Sequence, residues 1–175
     1  MKQQRQMILY IAMSLDGYIA DVDGGIDWLY EVEGEGDNGY FAFYETVDTI
    51  IMGRTTYDQI LTFDCEWPYS GKKCYVFTNR EHAPDSNVEF VTGDIPGFMS
   101  DLKSQSGSNI WLLGGAELID GFMKAGLIDE FAISVIPMIL GRGIPLFKCG
   151  NPKLNLILRE MTQFNDIVLL HYKSV

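Results

Sequence analysis

Three apolar, β-branched runs in this chain each end abruptly in small, hydroxyl-bearing or cationic residues. Residues 49–52 lead into Gly53-Arg54-Thr55-Thr56, residues 74–77 into Thr78-Asn79-Arg80, and residues 110–113 into Gly114-Gly115-Ala116. Short continuous apolar runs are typical of buried parallel strands, and the ligands of open α/β sheets bind outside the carboxyl ends of such strands. Amides, hydroxyls and two guanidinium groups at three such ends predict a cradle for a phosphate-bearing ligand. A nucleotide cofactor is therefore the first hypothesis.

Each of these motifs also has a plain structural interpretation. Gly114-Gly115 lets a pyrophosphate approach the amides of a helix N-terminus, but it also serves as a tight turn needed only for packing, and it is not a GxGxxG fingerprint. The Arg54 guanidinium can bind a phosphate through two hydrogen bonds. In the alternative interpretation Arg54 is a solvated surface charge and Thr55 is the N-cap of the following helix. Residues 78–80 are ambiguous in the same way. Their expected position along one edge of one sheet favours the ligand hypothesis.

The elements that must position these residues alternate along the chain. We expect strands at 7–13, 49–52, 73–78, 88–92, 110–113 and 131–136. We expect one short helix that begins near Asp37 or Asn38, and three further helices over residues 55–61, 95–104 and 116–125. The segments 156–164 and 167–174 predict an antiparallel pair that turns at Asn165-Asp166. Strands that alternate with helices favour parallel pairing. The predicted fold is α/β: a single domain over residues 1–175 with a central, mostly parallel sheet, an antiparallel C-terminal hairpin and flanking helices.

Composition narrows the classes of function. The chain has 175 residues, is 47% hydrophobic and carries a formal net charge of −11. That charge repels phosphodiester backbones and anionic lipid, so we expect no nucleic-acid partner and no membrane association. Three scattered cysteines and two distant histidines indicate neither a disulfide framework nor a metal site, and a reducing cytoplasm fits them best.

The ordered set of motifs resembles the dihydrofolate reductase fold, and more narrowly the reductase domain of bifunctional riboflavin-biosynthesis deaminase-reductases and their stand-alone relatives. The segments that carry the resemblance are 12–20, 51–57, 77–80, 112–116, 126–137 and 140–147. They span nearly the whole chain.

This resemblance implies an NADPH-dependent reductase whose cofactor lies across the strand ends. Carried over to this sequence, the phosphates would contact Gly53, Arg54, Thr55 and Thr56; the adenosine 2′-phosphate would face Thr78, Asn79 and Arg80; the pyrophosphate would contact Gly114, Gly115, Ala116, Glu117 and Leu118; and the nicotinamide would be framed by Ala12, Leu15 and Ile19.

On the substrate side the resemblance places an acid and an aromatic residue four positions apart at Asp37 and Phe41. Asp37 has an alternative role as a helix N-cap in an acidic loop. Asp27 and Asp16 are alternative acids. Trp28 corresponds to an aromatic residue near the nicotinamide, although core packing also explains it.

The match to folate enzymes weakens at Lys72, which stands where those enzymes place an arginine, because lysine lacks the rigid two-pronged fork. Ser134 would support the catalytic acid. Lys72, Arg142 and Lys148 are candidates for binding a substrate phosphate, and each is also explained as a solvated charge.

The resemblance favours a riboflavin-type reductase acting on a small heterocyclic substrate. A dihydrofolate reductase acting on a pterin is the runner-up, and a nucleotide-binding protein without turnover and an assembly module are the non-enzymatic alternatives. The family implies a homodimer, and residues 131–147 have the apolar character of an interface, which core packing explains equally well.

Overall fold

The computed structural model describes residues 4–175, in which ten strands and four α-helices form the regular structure. The strands are β1 (Met7–Ser14), β2 (Tyr18–Ala20), β3 (Val47–Gly53), β4 (Lys73–Phe77), β5 (Glu89–Val91), β6 (Asn109–Gly114), β7 (Glu130–Ile136), β8 (Ile144–Pro145), β9 (Leu156–Phe164) and β10 (Ile167–Ser174). The helices are α1 (Tyr40–Glu45), α2 (Arg54–Ile60), α3 (Ile95–Ser104) and α4 (Ala116–Lys124), with a 3-10 helix at Asp27–Glu31.

Eight strands form one sheet in the order β5-β4-β3-β6-β1-β7-β10-β9. The first six run parallel, so their carboxyl ends meet at one edge, and β10 runs antiparallel to both β7 and β9. The predicted mostly parallel sheet with an antiparallel C-terminal hairpin is confirmed. The hairpin turns at Asn165, whose φ of +53° is one that asparagine tolerates better than most residues.

The two faces of the sheet are covered by different helices. Helices α3 and α4 pack on one face, where Leu9, Ile51 and Phe122 are among the fully buried side chains. Helices α1 and α2 pack on the other face, over a cluster that contains Ile50 and Trp111. Alternate residues of each strand therefore serve opposite layers, and the face under α1 and α2 is rich in aromatic rings.

Three short features differ from the sequence-based expectation. Helix α1 begins at Tyr40 rather than near Asp37 or Asn38, because Asn38 (φ +53°) and Gly39 (φ +78°) adopt left-handed backbone conformations that interrupt a helix. The 3-10 helix and the two-stranded sheet of β2 and β8 were not predicted. Both are too short for hydrophobic periodicity to reveal.

No helix within residues 4–175 combines the length and the apolar character that crossing a lipid bilayer requires.

Candidate active site

The three polar strand ends predicted from the sequence lie side by side at the carboxyl edge of the sheet. Strand β3 is hydrogen-bonded between β4 and β6, with Gly53 in register with Phe77 and Met52 in register with Gly114. The predicted common edge for residues 53–56, 78–80 and 114–116 is therefore present. This is the position at which open α/β sheets bind their ligands.

Glycine keeps the backbone accessible where β3 and β6 end. A Cβ atom on Gly53 would lie 3.7 Å from the Gly115 amide nitrogen, and one on Gly115 would lie 3.2 Å from the Thr56 hydroxyl oxygen. Gly114 has a φ of +136°, which side-chain-bearing residues rarely adopt. The absence of side chains at all three positions leaves backbone amides and the Thr56 hydroxyl as the polar groups next to these glycines.

The two arginines of the edge differ in how they are held. The Arg54 guanidinium donates from Nε to Asp58 at 2.6 Å and from Nη1 to the Glu81 carbonyl at 3.3 Å. The Arg80 side chain is exposed and makes no hydrogen bond or ion pair with any residue from 4 to 175. Arg54 is thus fixed in place and partly neutralised, whereas the charge of Arg80 is free to meet an anion.

Hydroxyl groups accompany each arginine. Buried Thr78 accepts a hydrogen bond from the Arg80 backbone amide at 3.0 Å, which fixes the turn that presents Asn79 and Arg80 to solvent. Thr55 is exposed in the first turn of α2.

Helix α4 begins directly after the two glycines. The side chains of Ala116 and Leu118 are buried, so a ligand at this helix end meets their backbone rather than their side chains. Glu117 is almost fully exposed and forms an ion pair with Lys148. Lys148 was a candidate for a substrate phosphate, and this pairing places it instead beside the helix N-terminus.

The loop after β1 is tied to the loop after β7. Asp16 accepts hydrogen bonds from the Ser14 hydroxyl at 2.6 Å and from the amides of Leu140 and Gly141 at 3.1 and 2.7 Å. The hydrogen bond from Ser14, joined by those from the two amides, holds the pKa of Asp16 below its ordinary value. Asp16 is committed to joining these loops as a carboxylate, which counts against its alternative role as a proton donor.

The residues predicted to frame a nicotinamide lie around this loop. Ala12 packs with Trp28 and Ile136 at the carboxyl end of β1, Leu15 is 61% exposed, and Ile19 packs against the core under α4.

Asp37 precedes helix α1 instead of lying on it, so the expected helical spacing to Phe41 is wrong. Its carboxylate accepts hydrogen bonds from the Phe41 amide at 2.6 Å and the Gly39 amide at 3.1 Å, which is the capping role weighed as the alternative. Phe41 is 66% exposed. Burial of the Tyr10 ring raises the pKa of Tyr10 to about 12, and the negative charge of Asp37 adds to this shift. The Asp37 carboxylate therefore lies near the sheet residue Tyr10.

Trp28 is buried beside the carboxyl end of β1, and its indole nitrogen is a buried side-chain donor without a partner among the described residues. Buried donors are rarely left unpaired, because the lost hydrogen bond to water is not replaced. An acceptor supplied by a ligand or a water would satisfy it. Asp27, by contrast, is exposed at the start of the 3-10 helix. Ser134 is half-buried on β7 in register with Ala12, so the two side chains share one face of the sheet.

Lys72 does not serve as a free phosphate ligand. Its ammonium group donates to the carbonyls of Tyr44 at 3.0 Å and Val47 at 2.7 Å, and it lies 4.4 Å from the centre of the Tyr44 ring. These contacts fasten the end of α1 to the amino end of β4. The lysine is therefore engaged by the fold, which corrects its predicted role at the substrate.

Tyr10 is a residue that sequence analysis missed. It lies two positions before Ala12 on the same face of β1, and its ring stacks on Phe43 of α1 with 4.0 Å between ring centroids. The alternation of side chains along a strand would have placed it beneath α1. Its ring lies between the sheet and α1, within reach of the charge of Asp37.

Comparisons with known proteins agree with this arrangement. The family model described as the RibD C-terminal domain matches residues 5–170. Uncharacterized protein YwjB of Bacillus subtilis (strain 168) is 51% identical over 170 residues, which cover 97% of this chain and 98% of that protein. The crystal structure of a putative riboflavin biosynthesis protein from Shewanella sp. PV-4 has a TM-score of 0.86 at 34% identity and covers 97% of this chain and 99% of that one. Dihydrofolate reductase from Enterococcus faecalis, complexed with NADP(H), has a TM-score of 0.72 at 12% identity over 98% of this chain and 97% of its own, a likeness of fold alone.

Proposed function

We propose, from the fact that this chain belongs to the RibD C-terminal domain family, that it is a cytoplasmic NADPH-dependent reductase of the riboflavin-biosynthesis type, built as one domain and acting on a small heterocycle. The observation that carries the proposal is the exposed guanidinium of Arg80, which has no partner among residues 4–175, beside an edge that three glycines leave open. In a dinucleotide with a 2′-phosphate, that phosphate can pair with the guanidinium while the pyrophosphate lies along the open edge.

The residues present fit this cofactor. The groups assigned to it are Arg54, Thr55 and Thr56 after Gly53 for the phosphates; Thr78, Asn79 and Arg80 for the adenosine 2′-phosphate; the amides of Gly114, Gly115, Ala116, Glu117 and Leu118 for the pyrophosphate; and Ala12, Leu15 and Ile19 for the nicotinamide. When bound, reduced nicotinamide supplies a hydride to an electron-poor carbon, and the adjacent heteroatom takes a proton.

The chain's own groups would orient the acceptor ring. Asp37 binds a ring N–H and exchanges a proton with it, with Asp27 as the alternative acid. Trp28 donates its unpaired indole N–H to a ring oxygen, Phe41 covers the ring, and Ser134 supports the acid from the sheet.

A reductase acting on a pterin is the second candidate. The observation that favours it is the same carboxylate and indole pair, since a pterin presents both a ring N–H and a carbonyl oxygen.

Titration with the reduced cofactors tests the proposal. We expect nicotinamide fluorescence to change on addition of NADPH, with weaker binding of NADH, and we expect steady consumption of NADPH with a pyrimidine or pterin acceptor. Binding without consumption for any acceptor would support a nucleotide-binding protein instead. No binding of either cofactor would refute the proposal.

We also propose that the protein forms a homodimer. The sequence of residues 131–147 fits an interface and core packing equally well. Strand β7 is paired on both sides, by β1 and β10, and Phe131 is buried, so the core explains the strand, whereas Ile139 and Phe147 in the loop that follows are exposed. A larger group of exposed apolar side chains lies on the edge strand β9, where Leu158 is 51% and Met161 is 64% exposed. A long, apolar, unpaired edge strand favours pairing with another chain.

The apolar side chains of β9 favour a second copy as that partner. Four of them are exposed along the edge strand, namely Leu156, Ile157, Leu158 and Met161. Antiparallel pairing about a two-fold axis would bury them against the same residues of the other copy.

We expect Leu158→Glu to shift the sedimentation of this protein from dimer to monomer, because it places a charge on the exposed apolar edge of β9 in both copies. The control Leu61→Glu makes the same change at an exposed position after α2 and should leave the dimer intact. A monomeric unsubstituted protein, or a dimer unaffected by the single change, would contradict this interface.

A further inference from the structure

The charges of this protein are divided between the two sides of the candidate active site. Residues 6–53, which supply β1, the 3-10 helix, the following loop and α1, contain ten Asp and Glu residues and no Lys, Arg or His. The arginines of the cofactor edge, Arg54 and Arg80, come later in the chain. The side assigned to the substrate is therefore built almost entirely from neutral and acidic residues.

Few of these carboxylates are neutralised inside the protein. Among the described residues, Asp48 alone of the ten pairs with a cation, the buried Arg5 at the amino edge of the sheet. Asp16 and Asp21 are hydrogen-bonded to loop groups. The exposed carboxylates that remain include Asp27, Glu31, Glu33, Glu35 and Asp37.

The acidic loop lies against the substrate side. The Asn165 side chain donates to the Gly34 carbonyl at 2.6 Å, and a Cβ atom on Gly39 would lie 3.0 Å from the Phe164 ring. Phe164 packs in the same cluster as Trp28 and Ala12. The loop is thus held beside the cluster that contains the unpaired indole donor, and the hairpin turn that holds it adds Asp166 and no cation.

Basic residues near these elements are few. Lys72 donates to two backbone carbonyls at the far end of α1. Arg142 is exposed, follows Gly141, whose amide binds Asp16, and its side chain forms no hydrogen bond or ion pair within residues 4–175. Neither residue forms the cluster of donors with which proteins hold a phosphate dianion.

We infer that the substrate of this site is a neutral or protonated nitrogen heterocycle without a phosphate group. The inference rests on the proposed reductase function and narrows its substrate class. Clefts lined by one sign of charge concentrate ligands of the opposite sign and repel ligands of the same sign. The carboxylates favour a ring that carries a proton, and the indole N–H offers a donor to a ring oxygen. A phosphorylated substituent would meet mostly like charge on this side, with the single Arg142 opposing the exposed carboxylates.

A matched pair of ligands tests the inference with the NADPH-saturated protein. Binding of 5-amino-6-(ribosylamino)uracil and of its 5′-phosphate is measured by calorimetry, together with 2,4-diaminopyrimidine, uracil and orotate as a cationic, a neutral and an anionic ring. We expect the compound without phosphate to bind more tightly than its phosphate by a factor on the order of ten or more, and orotate to bind most weakly of the three rings.

Charge-removing variants locate the effect. In the double variant Glu33→Gln with Glu35→Gln, the ratio of the affinities for the compound without phosphate and for its 5′-phosphate should fall towards one. The NADPH affinity should stay the same. The control Glu89→Gln with Asp101→Asn removes the same number of charges from distant positions and should leave the ratio unchanged.

Tighter binding of the phosphorylated compound or of orotate would overturn the inference, as would NADPH binding with no binding of any of these rings. Either result leaves the reductase proposal standing, because NADPH affinity is measured separately. Loss of NADPH binding itself would instead refute the proposed function.

Discussion

We expect Asp37→Asn to slow turnover by a factor of about 10² to 10⁴, the range over which a positioned acid or base contributes to catalysis, while NADPH affinity stays nearly unchanged. The Phe41 and Gly39 amides donate to different oxygens of Asp37; the single oxygen of asparagine can keep the shorter bond from Phe41, so the entry to α1 should be largely preserved although the bond from Gly39 is lost. What the variant loses is the negative charge and the exchangeable proton. Steady-state NADPH consumption and cofactor titration separate the two effects.

A spectroscopic readout distinguishes loss of the charge from a change of fold. The charge of Asp37 contributes, after burial, to the raised pKa of Tyr10, so the absorbance titration of tyrosine should show this pKa moving down from about 12 in the variant. Asp101→Asn, on the exposed face of α3, serves as the control and should alter neither property. Equal losses of turnover and NADPH affinity in Asp37→Asn would reject Asp37 as the acid.

Removal of the second guanidinium should change which cofactor is preferred. Charge-assisted hydrogen bonds contribute about 1.5–3 kcal/mol, so Arg80→Ala should weaken NADPH binding by about 10- to 150-fold and leave NADH binding nearly unchanged. The fold should tolerate this change, because the exposed Arg80 side chain forms no hydrogen bond or ion pair within residues 4–175.

The measurement for Arg80→Ala is the ratio of dissociation constants for the two cofactors. Lys153→Ala removes an exposed positive charge elsewhere and controls for the change in net charge. An unchanged ratio in Arg80→Ala would exclude contact with the 2′-phosphate. The effect should also shrink as salt is added, because exposed charges are screened.

The parts of the fold that sequence predicted are those governed by long-range pattern. Continuous apolar runs located the parallel strands, and the hairpin at Asn165-Asp166 followed from two apolar segments that flank a turn. Helix α3 was predicted from Ile95 to Ser104, and the structure has these bounds. A strand that is buried on both faces of a sheet consists of consecutive apolar residues, so such strands can be recognised in the sequence.

The features that were missed depend on single backbone conformations or on contacts distant in sequence. The Asn38-Gly39 pair is typical of left-handed turns, and the predicted helix start near Asp37 or Asn38 gave too little weight to this local signal, which delays α1 to Tyr40. The commitment of Lys72 to two carbonyls depends on where α1 ends, which pattern does not fix. The common edge of the three motifs could be predicted, because the carboxyl ends of parallel strands meet at one edge. The hydrogen bonds that fix Arg54 but not Arg80 could not be predicted, because they depend on contacts formed only in the fold.

The attachment of the loop after β1 to the loop after β7 has a kinetic consequence. Besides the bonds to Asp16, the Leu15 amide donates to the Met138 carbonyl at 2.8 Å and the Leu146 amide to the Gly17 carbonyl at 2.9 Å. Movement of one segment away from the sheet therefore requires the other to move with it or these four hydrogen bonds to break. In the proposed reductase we expect the two loops to open together, in one step shared by substrate entry and product release.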